Sequence, residues 1–260
     1  MTQQKPLFIS HGSPMMAVEK SQTSRFLQQL GQAIPTPSAI VVFSAHFDVK
    51  HDVIITAGQQ PETIHDFYHF PDELYQIRYP APGAPKLAQR IATLFADANI
   101  NAKLDSQQGW DHGVWIPLRL MYPQANIPIV QISINTRIGA AQNYRYGQLL
   151  AQLKNDNILI IGSGGISHNL AEVFKRTKTV NGVDMMNQFR HWVEDKLVNN
   201  DIESLLNYQQ LAPHAKFNHP TPEHFLPLMS VLGASGNTRA NKIHHDVEYE
   251  LLALDAYSFS

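Results

Sequence analysis

Three histidines stand where apolar runs stop. His11 follows "PLFIS" and precedes Gly12, Ser13 and Pro14; His46 closes "IVVFSAHF"; His168 comes a few residues after "ILIIGS", beyond the Gly-rich "GSGGIS". Imidazole titrates near neutral pH and is the commonest side-chain ligand for transition metals, so the chemistry on offer is proton transfer, coordination, or both. One histidine beside a strand is as readily a hydrogen-bonded structural residue. Three in equivalent places form a pattern. In open α/β sheets ligands bind outside the carboxyl ends of the strands, where side chains distant in sequence can meet. The chain has 13 His and no Cys in 260 residues. Any transition-metal site is therefore built from imidazole and carboxylate, and disulfides, thiolate sites and cysteine nucleophiles are excluded.

A fourth candidate lies in "HPTPEHFLPLMSVLGAS". Thr221 reads as a helix cap with Pro222 in the favoured first position, which puts Glu223 and His224 in the first turn. The helix dipole there disfavours imidazolium and leaves a nitrogen free to ligate. Successive helical side chains diverge by about 100°, so Glu223 and His224 are not expected to bind together. An exposed first-turn histidine is the alternative. Two further segments read as loops. "TIHDFYHFPDELYQIRYPAPG" (63–83) is rich in aromatic residues and carries His65, Tyr68 and His69; it could line a pocket for a flat ligand or merely cover a sheet end. "GWDHGVWIPLRLMYP" (109–123) places His112 beside Asp111, a charge setting suited to an acid or base, although adjacent residues need not face each other. There is no H-E-x-x-H, no G-x-S-x-G and no phosphate-loop lysine.

Stepping to the elements that would hold these groups, β-branched runs at 6–10, 39–45, 127–134 and 157–163 read as strands covered on both faces. Amphipathic helices are expected over 21–32, 85–98, 141–154 and 183–198. Alternation of the two implies an α/β fold with a central, largely parallel or mixed sheet and helices on both faces. The tail "VEYELLALDAYSFS" reads as a late strand at an edge. "YPAPGAPK" is a turn rather than a linker, so residues 1–260 are expected to form a single domain.

Charge narrows the partners. Twenty basic and 22 acidic residues give a net charge of −2 with no basic block, which argues against nucleic acid and anionic membrane. The start lacks a signal-peptide pattern and no window reaches transmembrane length. With the absence of Cys, a cytoplasmic location is expected. Oligomeric state is not legible.

Six motifs, "HGSP" (11–14), "SAHF" (44–47), "IHDFYHFPDELYQIRYPAPG" (64–83), "DHGVWIPL" (111–118), "SGGISHNL" (163–170) and "TPEHFLPL" (221–228), occur in one order across nearly the whole chain. In this the sequence resembles the class III extradiol ring-cleavage dioxygenases, in particular their 4,5-DOPA dioxygenase branch, which is related to the catalytic subunit of protocatechuate 4,5-dioxygenase. The resemblance implies one non-haem Fe(II) and insertion of both atoms of O₂ into DOPA or a similar catechol, which opens to a muconic semialdehyde. It places metal ligands at His11, His46 and His224. His168 would be chiefly an acid/base group that can also complete the coordination, and His112 a second polar group near substrate. Zn(II) can fill the same site in purified protein. The sequence departs from relatives at His69, where Gly is common. From the histidines alone a zinc or manganese hydrolase, or a metal-storing or small-ligand-binding protein, stays open.

Overall fold

The computed structural model describes residues 3–236 and 238–260. Its strands are β1 (Leu7–Ser10), β2 (Ala39–Asp48), β3 (Val53–Thr56), β4 (Ala102–Asp105), β5 (Ile129–Ile134), β6 (Ile158–Gly164), β7 (Ala240–His244), β8 (Val247–Glu248), β9 (Leu252–Ala253) and β10 (Ala256–Phe259). Eight of them form one mixed sheet in the order β4-β3-β5-β2-β6-β1-β10-β7, and β8 and β9 pair as a separate ribbon. The central β5, β2, β6 and β1 are mutually parallel. They are the four runs without polar alternation, and β1, β5 and β6 are buried from end to end.

Helices cover both faces, and side-chain alternation along β6 shows how. Gly162 faces the helix Leu226–Ser235 and Gly164 the segment that leads into it, while the Ser163 hydroxyl between them reaches the Gly113 carbonyl in the helix His112–Met121. The four helices expected from periodicity are present as Gln22–Ala33, Pro85–Asp97, Gly139–Leu150 and Gly182–Val198. The first has a capping box in which Ser21 and Ser24 satisfy each other's backbone amides. The third stops earlier than expected, because residues 151–156 tighten into a 3₁₀ turn.

Several expectations are corrected. Residues 112–121 are helical rather than loop; Asp111 caps the helix, and all its residues except Arg119 are buried, so no polar stripe signals it. Thr221 caps nothing. Residues 221–225 form a turn and the last long helix begins at Leu226, with Pro227 in its first turn. The tail is not one edge strand: it makes the β8–β9 ribbon and then β10, which lies inside the sheet between β1 and β7. Among the described residues no helix is long and apolar enough to cross a membrane.

Candidate metal centre and substrate pocket

β1, β6 and β2 are neighbours, so their carboxyl ends form one rim. The His11 amide still donates to the Gly164 carbonyl (3.1 Å), after which Gly12 at φ +60° turns the chain away. In β2 the register against β5 breaks between Ser44 and Asp48, a bulge that aims His46 over the rim. His224 arrives from the opposite wall. Its carbonyl accepts the Gly165 amide at 2.9 Å, and a Cβ on Gly164 would lie 2.2 Å from that oxygen, so only glycine lets this segment dock. One ring nitrogen from each of His11, His46 and His224 lies within 4.8 Å of the others.

The surroundings settle which nitrogen each ring offers. The Ser163 hydroxyl donates to the Gly113 carbonyl (2.5 Å) and so accepts from His11 Nδ1 (3.0 Å). Glu223 Oε1 accepts from His224 Nδ1 (3.2 Å) and from the Thr221 hydroxyl (3.0 Å). Asp66 Oδ2 lies 3.5 Å from His46 Nδ1. Glu223 and His224 are hydrogen-bonded to each other because they sit in a turn rather than in the first turn of a helix. Nδ1–H is hydrogen-bonded on His11 and His224, and on His46 it faces the Asp66 carboxylate, which leaves Nε2 as the nitrogen each ring can offer. His224 Nε2 is buried without a hydrogen-bond partner, and the Nε2 atoms of His11 and His46 are 2.9 Å apart. Either one ring gives up its Nδ1 bond, or a cation sits among the three. Burial, then the neighbouring imidazoles, keeps all three pKa values well below the ordinary 6.5, so the rings are neutral and ready to ligate. The arrangement fits a divalent metal held by three imidazoles, each oriented through its other nitrogen.

That orientation makes a prediction. Ser163→Ala removes the acceptor for His11 Nδ1 and should weaken metal binding about 10- to 100-fold without unfolding the protein. Competition against a graded series of chelators measures it, and unaltered affinity would mean the hydroxyl does not set the tautomer.

His112 is partnered by Asp66, which sequence inspection missed, and not by Asp111. Asp66 accepts from both the His112 amide (2.9 Å) and Nδ1 (3.0 Å). Burial pushes the Asp66 carboxyl up, but the hydrogen bonds and charge of His112, with His46, outweigh it and hold the group at about 2. Asp111 faces inward, accepting from Ser44 Oγ (2.7 Å), the Val114 amide (3.2 Å) and the Gln131 side-chain amide; burial raises it to about 6. Gly113 keeps the space clear, since a Cβ there would lie 3.1 Å from His46 Cδ2. The only sequence signal for Asp66 was its place in the aromatic-rich segment.

His168 stacks on His224, with ring centroids 3.3 Å apart and planes 9° from parallel. Its nitrogen groups with Glu223 and His224 rather than with the His11–His46 pair. Burial, then His112, lowers its pKa to about 4. These histidines and His112 line a cavity of about 630 Å³, and Tyr68 and His69 lie on its mouth. His65 does not line it. It donates from Nε2 to the Ile77 carbonyl (3.1 Å) and pins the 63–83 segment, as does Trp115 Nε1 on the Ile64 carbonyl (2.9 Å). A hollow of similar size, about 650 Å³ near Arg119 and Tyr122, shares none of these residues.

Buried neutral histidines also set the acid limit of the fold. His219, donating to the Ile166 carbonyl (2.8 Å), is lowered to about 3 by burial. Below pH 6.5 the unfolded chain takes up protons that His168 and His219 refuse in the folded state, so stability falls as pH falls. The loss is about 1.4 kcal/mol per pH unit for each residue until its folded pKa is reached. Denaturant midpoints of the metal-free protein at pH 7 and 5 should show this, and His219→Phe should flatten the slope; a flat wild-type profile would contradict it.

The comparisons agree with this geometry. The family model described as the catalytic LigB subunit of aromatic ring-opening dioxygenase matches residues 5–260. A 4,5-DOPA dioxygenase extradiol of Beta vulgaris is 39% identical over 258 residues, covering 97% of this chain and 95% of its own. A protein of the same name from Escherichia coli K12 is 41% identical over 237 residues, covering 90% and 86%. The crystal structure of an uncharacterized Escherichia coli K12 protein superposes with a TM-score of 0.82 at 33% identity, over 99% of this chain and 100% of that one. The chain belongs to the class III extradiol, LigB-type family of aromatic ring-opening dioxygenases. It is an enzyme of that class, acting on a catechol with O₂ at a site suited to a divalent metal.

Proposed function

We propose that the chain, working as one catalytic domain in the cytoplasm, uses Fe(II) to cleave DOPA or a similarly substituted catechol beside its hydroxyl pair. The observation that carries this reading is the convergence of ring nitrogens from His11, His46 and His224, two of the rings hydrogen-bonded through Nδ1 and the third facing Asp66, in a cavity whose wall also holds the His112–Asp66 pair. His11, His46 and His224 would hold the metal. Bound Fe(II) supplies the one-electron chemistry with O₂ that Zn(II), having no redox chemistry, lacks. Both oxygen atoms end in the ring-opened semialdehyde acid, so no further reductant is needed.

The chain's own residues handle protons and water. With Nδ1–H committed to Asp66, His112 presents Nε2 as an acceptor, and the adjacent carboxylate favours the imidazolium that forms when a catechol hydroxyl gives up its proton. His168, neutral at pH 7, adds a second acceptor in the cavity wall, against His224. The 63–83 segment screens the site from water with Phe67, Tyr68 and Phe70.

The deciding experiment is oxygen uptake with catechols after anaerobic loading of metal-free protein with fresh Fe(II), beside the same protein loaded with Zn(II). Uptake with Fe(II) alone, together with a yellow semialdehyde product, is expected. Hydrolysis supported by Zn(II) without uptake would point to a hydrolase, and neither activity to a binding protein. The mouth can be tested separately. Tyr68 is 78% exposed, and His69 has φ +66°, a conformation natural to Gly. Tyr68→Ala and His69→Gly should shift KM and the ranking of catechols severalfold at constant metal content. Identical kinetics across a catechol panel would remove both residues from the substrate site.

A further inference from the structure

We propose that Tyr249, at the tip of the β8–β9 ribbon, is a specificity-determining residue that packs against the ring substituent of the bound catechol. This rests on the catechol-cleaving reading above and adds a residue to its substrate site.

The first observation is where the ring stands. Tyr249 lines the cavity and is 50% exposed, and Leu252 and Leu254 from the same segment line it too. His11 and His224, which line the same cavity, are 3% and 4% exposed. A catechol whose hydroxyl pair reaches these histidines carries a substituent at its 4-position on the far side of its ring. That substituent points outward, toward half-exposed rings such as Tyr249.

The second observation is the backbone that carries the ring. The Leu251 amide donates to the Glu248 carbonyl at 3.2 Å across a turn whose central residues, Tyr249 and Glu250, have φ of +49° and +63°. Positive φ at both central positions is the type I′ pattern, in which Asn and Gly are favoured. A bulky side chain there is strained, and such strain persists only where the surrounding structure imposes it.

The surrounding structure does impose it. The Ser167 hydroxyl donates to the Leu251 carbonyl and accepts the Ala253 amide, each at 2.7 Å, and Ser167 immediately precedes His168. The Ser13 amide, two residues past His11, donates to Glu248 Oε2 at 3.2 Å. Leu251, Leu252, Ala253 and Leu254 are buried. The ribbon is thus fastened to the segments that carry His11 and His168, which keeps its tip in register with the site. Asn or Gly at 249 would make the same turn with less strain. The turn does not call for a tyrosine, whereas a ligand ring or arm in the cavity gains from one.

The test compares Tyr249→Asn, Tyr249→Phe and Glu250→Asn with the wild type on catechol, 4-propylcatechol and DOPA. With Fe(II)-loaded enzyme, Tyr249→Asn should raise KM for the two substituted catechols by about 2- to 10-fold, the worth of one aromatic packing contact. Unsubstituted catechol and kcat should change less than about twofold. Anaerobic titration of the Zn(II)-loaded protein should give the same pattern without turnover. The melting temperature of metal-free Tyr249→Asn should not fall, because Asn suits the left-handed turn. Tyr249→Phe keeps the ring and should keep the wild-type KM. Glu250→Asn relaxes the same turn outside the cavity lining and should leave KM unchanged. Tyr249→Asn binding the substituted catechols as well as the wild type does overturns the inference. So does an equal loss for all three catechols, or a Glu250→Asn that raises KM as much, since the shape of the turn would then matter and not the ring. If no catechol consumes oxygen yet the titrations keep the expected pattern, the dioxygenase reading fails and the placement of Tyr249 stands. If none of the three binds, both fall.

Discussion

His11→Ala should yield a folded protein that retains no stoichiometric Fe(II) and turns over at less than about 10⁻³ of the wild-type rate, within the range that losing one essential catalytic group costs. The loss goes beyond that of Ser163→Ala, because the ligand itself disappears rather than its orientation. His46 Nε2 and His224 Nε2 would remain, but two imidazoles hold a divalent ion far less well than three. Folding should survive: the substitution leaves the Ser163 hydroxyl without the Nδ1–H it accepts, a cost of about 1–2 kcal/mol, and removes a close nitrogen pair that is unfavourable without a cation. Iron stoichiometry after anaerobic loading, read beside the melting temperature of the metal-free protein, measures both parts. A variant that keeps one iron per chain would strike His11 from the ligand set.

The parts of this centre visible from sequence share one property: they belong to strands whose apolar runs announce themselves. β1, β2, β5 and β6 are covered on both faces, so composition alone marks them and the residues that follow them, His11 and His46 among them. Strands β3, β4 and β7 were missed because their runs are short and, in β4 and β7, mostly polar at exposed or edge positions. The helix His112–Met121 was missed for the opposite reason. Burial all round erases the amphipathic period, and Gly113 and Pro117 read as loop residues. His224 lies near His11 and His46, in a turn before the helix rather than in the first helical turn that its sequence suggests. The true turn is what allows Glu223 to reach back to it, and a pattern of caps cannot show that. Asp66, Ser163 and Ser44 act through contacts spanning 46, 152 and 67 residues, for which one sequence carries no local signal.

Proton transfer divides His112 from His168, and the second large effect is expected at His112. The sequence motif points to His168 as the main acid/base group, yet the two rings differ in what supports a positive charge. His112 has its Nδ1–H on Asp66, which is ionised throughout the working range. The carboxylate beside His168, Glu223, is engaged by His224 and Thr221, and His168 itself is stacked on His224 and sits at about 4, so it resists protonation at neutral pH. A positioned general base contributes about 10²–10⁴ in rate. His112→Ala should therefore keep its Fe(II) and lose kcat by that factor with the favoured catechol. His168→Ala should also keep its iron, with a smaller loss of about tenfold arising from the slack it leaves against His224. Asp66→Asn separates charge from position: the amide can still reach the His112 backbone, but the imidazolium loses its counter-charge. In that variant kcat should fall while the iron and the fold of the 63–83 segment are kept, which a purely structural role for Asp66 would not give. If His168→Ala proves the more damaging of the two with iron still bound, the proton travels along the Gly-rich wall and the Asp66–His112 pair serves only to seat the loop. If His168→Ala loses its iron as His11→Ala should, His168 is a ligand, and the ring that stacks on His224 must turn to meet the metal once it is bound.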